Sequence, residues 1–262
     1  PLEGSYDYLA IHMLAYDLYD MDAGENKAQT GYTIELPWYG DAFIFDAPYG
    51  TCQDYVTTIH EFGHYNYAVH KKSNPLFVVN NMDLCEIHSQ GLEMLFYDYD
   101  QDMIQGEAGD MFRLQDVVQL AEQTANACML AEFEICVYEN PDMTREEMNK
   151  LYCNLAREYG KAVNDPDIQE LYSWVDIPHL FMQPCYYLGY GTSAFTSLDL
   201  FALAGEDREA AVDKYLELTA VSAETPYCEA VQKVGLRDIF EKGVPGEILK
   251  EVNNRLKKDY EQ

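Results

Sequence analysis

The pentapeptide His60-Glu61-Phe62-Gly63-His64 sets two imidazoles and a carboxylate at helical spacing. Residues four apart share one helix face, so both rings can reach one metal ion while Glu61 turns toward water that the metal activates. That is the chemistry of metal-assisted hydrolysis, in which a carboxylate takes the proton of the attacking water. Alone, the pattern also fits a pair of satisfied core histidines. A third donor separates the two readings, because a catalytic zinc takes three protein ligands and keeps a fourth position open.

A helix must carry the pentapeptide. Thr51-x-x-Asp54, just after Gly50, resembles a capping box, and Tyr55, Val56, Ile59 and Phe62 give the segment an apolar stripe. Downstream, Glu86, Ser89, Gln90 and Glu93 fall at i, i+3, i+4 and i+7, one face of a second helix, while Ile87, Leu92, Met94 and Leu95 pack elsewhere. By itself such a stripe is either a buried site or a solvated acidic face. Beside the first helix it makes Glu86 the third ligand, ahead of His70, Cys85 and His88. Glu93, two turns beyond Glu86, is placed to accept the second ring N–H of a ligand histidine.

His60-Glu-Phe-Gly-His64 followed by Glu86-x-x-Ser89-Gln90-x-x-Glu93 resembles the thimet oligopeptidase and oligoendopeptidase F family of zinc metallopeptidases. The resemblance extends upstream to Gly31-Tyr32 and Asp41-Ala-Phe-Ile-Phe-Asp46. It continues downstream through Met129-Leu-Ala-Glu-Phe-Glu134, Ile177-Pro-His179 and Ala211-Val-Asp-Lys-Tyr-Leu-Glu217, so it covers most of the chain in order. Two departures are visible: the interval from His64 to Glu86 is a few residues shorter than usual, around Ser73-Asn-Pro75, and the family's N-terminal half is absent.

The resemblance implies one zinc ion held by His60, His64 and Glu86, with Glu61 as general base. Peptide hydrolysis passes through an oxyanion, which hydrogen-bond donors beyond the metal should stabilise. The segment from Pro178 to Gly191 supplies an imidazole and several phenols. By resemblance His179 and Tyr190 face the zinc and, with Tyr187 three residues before Tyr190 on the same helical face, stabilise the oxyanion; Tyr186, offset by one from the family's spacing, is a further candidate. Residues 31–37 and 41–46, joined by Trp38-Tyr-Gly40, read as two short strands whose exposed edge could pair with an extended peptide. In the family the helices form one wall of a deep channel and the N-terminal half forms the other, which admits short unfolded peptides.

Helical spacing recurs near 6–18, 83–100, 112–138, 144–163, 183–204, 207–219 and 245–259, with a capping box at Thr144-Arg-Glu-Glu147 and a break at Asn140-Pro141. Asn164-Asp-Pro166 and Gly243-Val-Pro245 read as turns. The expected architecture is a mainly α helical bundle with a small β-sheet beside the HExxH helix. The resemblance implies that residues 1–262 form a single catalytic domain, a fragment lacking the N-terminal half of the family.

With 48% hydrophobic residues and 24% charged, the composition suits a globular protein. The formal charge of -29 repels nucleic acid and anionic membranes and would draw cationic peptides toward a cleft. Seven cysteines, odd in number and without a CxxC, point to free thiols in a reducing, cytoplasmic setting. No run reaches the length of a membrane span, and no leader is present. The sequence thus reads as a zinc endopeptidase acting on short unstructured peptides. A metallocarboxypeptidase with a similar site, a silent peptide-binding module and a closed structural zinc site are the alternatives.

Overall fold

Polar turns divide the chain into a small sheet near its start and a long succession of helices. The computed structural model describes residues 5–27, 30–71, 81–161 and 168–260. Helix α1 (Ser5–Ala15) leads into β1 (Tyr19–Asp20), β2 (Tyr32–Leu36) and β3 (Asp41–Phe45). There follow α2 (Cys52–His70), α3 (Cys85–Phe96), a one-turn α4 (Asp100–Met103), α5 (Glu107–Glu139), α6 (Arg145–Glu158) and a one-turn α7 (His179–Met182). The chain continues through α8 (Tyr186–Glu206), α9 (Arg208–Thr219), α10 (Tyr227–Lys233) and α11 (Val244–Tyr260). The architecture is mainly α with a small sheet packed on the HExxH helix, as the patterning predicts.

The two predicted strands form an antiparallel hairpin, in register from Tyr32 opposite Phe45 to Leu36 opposite Asp41. The sheet order is β1-β3-β2, which leaves β2 at an edge. Two residues of parallel pairing make β1, too short for any periodic signal. The helix expected through Leu18 stops at Ala15, because Asp17 turns the backbone into the left-handed region at φ 52° and Leu18 accepts the Ile44 N–H at 3.1 Å. Strand β3 sinks Ala42 and Ile44 against Tyr65 of α2. The Asp41 carboxylate accepts from the Tyr65 hydroxyl at 2.9 Å and pairs with His12 at 2.8 Å, tying α1, β3 and α2 together.

Helix starts follow local chemistry. The Asp54 carboxylate accepts the Thr51 N–H at 2.8 Å and the Gly50 N–H at 2.6 Å, so three residues decide where α2 begins. Thr144 donates its N–H to Glu147 at 2.8 Å at the head of α6, and α5 ends before Asn140-Pro141. Val244-Pro245, expected in a turn, opens α11, where a proline ring in the first turn removes no helical hydrogen bond. Ser73-Asn-Pro75 and Asn164-Asp-Pro166 lie outside the described residues.

Helix α8 runs through the middle, buried on nearly every face, with α3, α5, α9 and α11 around it. One apolar cluster joins Ile59 of α2, Ile87 and Leu92 of α3, Leu200 of α8 and Tyr215 of α9. A second joins Met129 and Phe133 of α5 to Tyr152 and Leu155 of α6. Helices α2 and α3 approach closely at Gly63. A Cβ there would stand 2.3 Å from the His88 carbonyl oxygen and 2.6 Å from Ser89 Cα, so only glycine permits this crossing. Gly189 does the same for α8, 2.5 Å from the Met82 carbonyl oxygen at the approach to α3.

Two measurements test this framework. Gly63→Ala forces α2 away from a backbone that cannot yield, and should cost about 3 kcal/mol in chemical denaturation. Asp100, 4% exposed and accepting the Tyr55 hydroxyl at 3.0 Å, has its carboxyl pushed up to about 6 by burial. A raised folded value favours the neutral acid, so this contribution is complete below about pH 4 and is lost as pH rises through 6, amounting to about 3 kcal/mol at most. The stability difference between the protein and Asp100→Asn should therefore shift between pH 4 and pH 7 in urea melts. A difference independent of pH would remove Asp100 as its source.

Candidate active site

Helix α2 presents His60 and His64 on one face, and α3 crosses so that Glu86 stands over both. His60 Nε2 lies 3.2 Å from His64 Nε2, and Glu86 Oε2 lies 3.4 Å from each of those nitrogens. Three donors thus form a nearly equilateral triangle. A tetrahedral zinc with ligands about 2.05 Å away separates neighbouring ligands by about 3.3 Å. The donor types and their spacing therefore both fit one zinc ion. Among the described residues these three form the group of histidine and carboxylate atoms close enough to hold a metal.

The competing donors are engaged elsewhere. His88 is buried and stacked on Tyr67 at 3.9 Å between ring centres, and burial pushes it down to about 3, so it is a neutral core imidazole. Burial pushes the Cys85 thiol up to about 12, leaving it a thiol that donates to the Met82 carbonyl at 3.5 Å. His70 caps the last turn of α2 by donating to the Asn66 carbonyl at 2.8 Å.

The acidic stripe of α3 lies inside, not on a solvated face. The Glu93 carboxylate takes the Nδ1 side of His60 at 2.6 Å, and the Ser89 hydroxyl donates to Glu86 Oε2 at 3.0 Å. Burial alone would lower His60, but its hydrogen bonds to Glu86 and Glu93 hold it well above its usual range. Burial alone would raise Glu86, but hydrogen bonds from His60 and His64 hold it well below the usual carboxylate range. The two shifts express one demand. These carboxylates need positive charge between them, which a proton on His60 or a divalent cation can supply.

Glu61 projects beside the triangle with 5% exposure. Its carboxylate accepts from the Thr33 hydroxyl at 2.7 Å, and Thr33 also donates to the Glu61 carbonyl at 3.0 Å. Strand β2 therefore aims this side chain, a partnership invisible in the sequence because only the register of the hairpin puts Thr33 there.

The cleft has two lobes that share Gly31, His60, Glu61 and Glu86. One, of about 690 Å³, runs along β2 and reaches Tyr67 and Tyr186; the other, of about 450 Å³, reaches α5 and is walled by Tyr190. The tyrosine-rich segment thus contributes a residue to each. Tyr186 and Tyr190 pack edge to face at 4.9 Å between ring centres. Burial raises both phenols and keeps them protonated. His179 stacks on Tyr186 at 4.7 Å and lies 6.1 Å from Tyr190. It backs the tyrosines and does not line either lobe. Tyr187 packs against the cluster around Phe133 and Tyr152, outside the cleft lining, because three residues of helix rotate it to the other side of Tyr190 from Tyr186. The start of α8 is set from α5, where the buried Glu134 carboxylate accepts the Cys185 N–H at 2.9 Å.

Known structures reproduce this arrangement of elements. A protein provisionally described as oligoendopeptidase F superimposes with a TM-score of 0.80 at 25% identity, over 96% of this chain and 46% of that one. The chain resembles the oligoendopeptidase F peptidases and shares their catalytic-domain fold. A second such structure, from Bacillus anthracis, gives a TM-score of 0.78 at 23% identity over 97% of this chain and 44% of the other. PZ peptidase A with an inhibitor gives 0.77 at 23% identity over 97% and 47%. The chain spans just under half the length of each of these oligoendopeptidase F-like proteins. Models of protein families give no match, and curated proteins give none either. Among the described residues no helix is long and apolar enough to cross a membrane, and all seven cysteines are free.

The His60–Glu93 contact leads to a direct test. Glu93→Gln should keep the fold by circular dichroism while weakening zinc affinity about 10-fold to 100-fold in competition with a chromogenic chelator. Unchanged affinity would show that Glu93 does not hold the ligand ring.

Proposed function

We propose that this chain is the catalytic portion of a zinc metallopeptidase of the oligoendopeptidase F type that cleaves short unstructured peptides. The observation that carries the proposal is the triangle of His60, His64 and Glu86 with the Glu61 carboxylate held beside it. When bound, zinc would lower the pKa of a water molecule toward neutrality and polarise the scissile carbonyl. Glu61, oriented by Thr33, accepts the proton of the attacking water and passes it to the leaving amine. The addition leaves negative charge on the former carbonyl oxygen. Tyr190, kept protonated by burial, donates to that oxygen, and Tyr186 at the neighbouring lobe packs against it. His179 keeps the Tyr186 ring in place by stacking. Tyr187 holds the base of this helix in the α5–α6 core.

An extended substrate would add to β2, whose outer edge lies along the larger lobe and supplies main-chain pairing with little sequence preference. The other wall of the channel, in this reading, comes from a segment corresponding to the rest of the longer relatives. Among the described residues neither lobe is lined by a lysine or arginine, the clamp that a carboxypeptidase would use for a terminal carboxylate. This favours cleavage within a peptide. The oriented Glu61 argues against a silent binding module, and a triangle open on one side argues against a closed structural zinc site. Free thiols suit a reducing, cytoplasmic setting.

The test is hydrolysis of an internally quenched peptide by the zinc-loaded protein beside Glu61→Gln, with bound metal quantified in both. The variant should retain one zinc and lose about 1,000-fold or more in rate, as expected when the base is removed. Mass analysis of the fragments should show internal cleavage. A zinc-loaded protein that cleaves no peptide, or a variant that cleaves at the full rate, would end this reading.

A further inference from the structure

The smaller lobe contains groups that hydrolysis itself does not use. Its far wall is built by Asp116, Gln119 and Gln123 of α5, which fall at i, i+3 and i+7 on one helix face, together with Gln53 of α2. Glu93 and Gln90 of α3 close it on the metal side. A divalent ion on the triangle would be balanced by Glu86 and Glu61, so Glu93 and Asp116 remain as carboxyl groups that no cation offsets. No lysine or arginine lines the lobe among the described residues.

Gln90 supplies an independent sign of a missing partner. It is 5% exposed, lines the lobe, and its side-chain oxygen has no hydrogen-bond donor. A buried carbonyl without a donor is costly, and an ionised carboxylate beside it can only accept. What this wall lacks is a donor with positive charge. Burial and the Glu93 and Asp100 charges raise Asp116 above the usual carboxylate range, so without a cation beside it the neutral acid is favoured, and a bound cation would favour its ionised form. The rise of α3 puts Gln90 and Glu93 roughly 6 and 10 Å along the helix from Glu86, within reach of a long side chain next to a bond held at the metal.

Resting on the peptidase reading above, we propose that this lobe is a specificity subsite for a nitrogen cation on the substrate, with Asp116 as its principal anion and the Gln90 oxygen as an acceptor. Lysine and arginine side chains carry that chemistry, as does a free α-ammonium group.

The experiment compares kcat/KM for matched quenched peptides carrying lysine, arginine or norleucine at positions flanking the cleaved bond, each with a free or acetylated N terminus. The zinc-loaded protein and Asp116→Asn are compared by the ratio of cationic to norleucine rates, which is insensitive to overall loss of activity. We expect a ratio of about tenfold or more in the wild type and less than about threefold in Asp116→Asn, the scale of one charge-assisted hydrogen-bonded contact. A ratio that follows the side chain assigns the subsite to lysine or arginine, and one abolished by acetylation assigns it to the α-ammonium group. A wild-type ratio near one, or a ratio unchanged in Asp116→Asn, overturns the proposal. Binding of the same labelled peptides to zinc-loaded Glu61→Gln and to its Asp116→Asn derivative gives the ratio without turnover. If no peptide is cleaved, the peptidase reading fails and this binding ratio still decides the subsite.

Discussion

The close crossing of α2 and α3 at Gly63 is the contact on which the site depends. A single helix can aim two histidines at one point, but it has no residue positioned to complete the coordination from above. The third donor must come from another backbone a few ångströms away, and a Cβ at position 63 would collide with the His88 carbonyl and Ser89. With glycine there, Glu86 closes the triangle and Glu93, two turns on, meets the far side of the His60 ring. One helix pair therefore sets both the donor triangle and the carboxylate that holds the His60 ring.

Charge explains why such a pair is tolerable. The chain as a whole carries a formal -29, and within the site Glu61, Glu86 and Glu93 gather around two imidazoles. Like charges in a partly buried cleft repel, and the opposite displacements of His60 and Glu86 from their usual titration ranges record how strongly the cluster seeks a cation. The two lobes differ in the same terms. The one along β2 is bounded by a strand edge and aromatic rings, and the one toward α5 by amides and carboxylates.

The remaining elements act as spacers for this centre. Strand β2 brings the Thr33 hydroxyl to Glu61, and the Asp41 carboxylate ties the sheet to α2 through Tyr65. Helix α8, fixed at its start by Glu134 and drawn against the approach to α3 at Gly189, carries Tyr186 and Tyr190 to the cleft while its far end fills the core.

The sequence by itself determined the helices, the hairpin, and which residues could bind a metal. Helical spacing is a local property, so His60, His64 and the stripe from Glu86 to Glu93 were legible as faces, and the capping signals at Thr51 and Thr144 marked starts that the structure reproduces. Two-residue pairing at β1 and the seven residues of α10 were too short to leave a period. What only the tertiary structure decided are the partnerships between elements: Thr33 with Glu61, Tyr186 in the cleft lining and Tyr187 in the core, His88 as a stacked core ring, and Asp116 on the wall facing Glu93. Each depends on where one backbone crosses another, which burial and close packing across long separations in sequence decide, and no spacing within a single element encodes it.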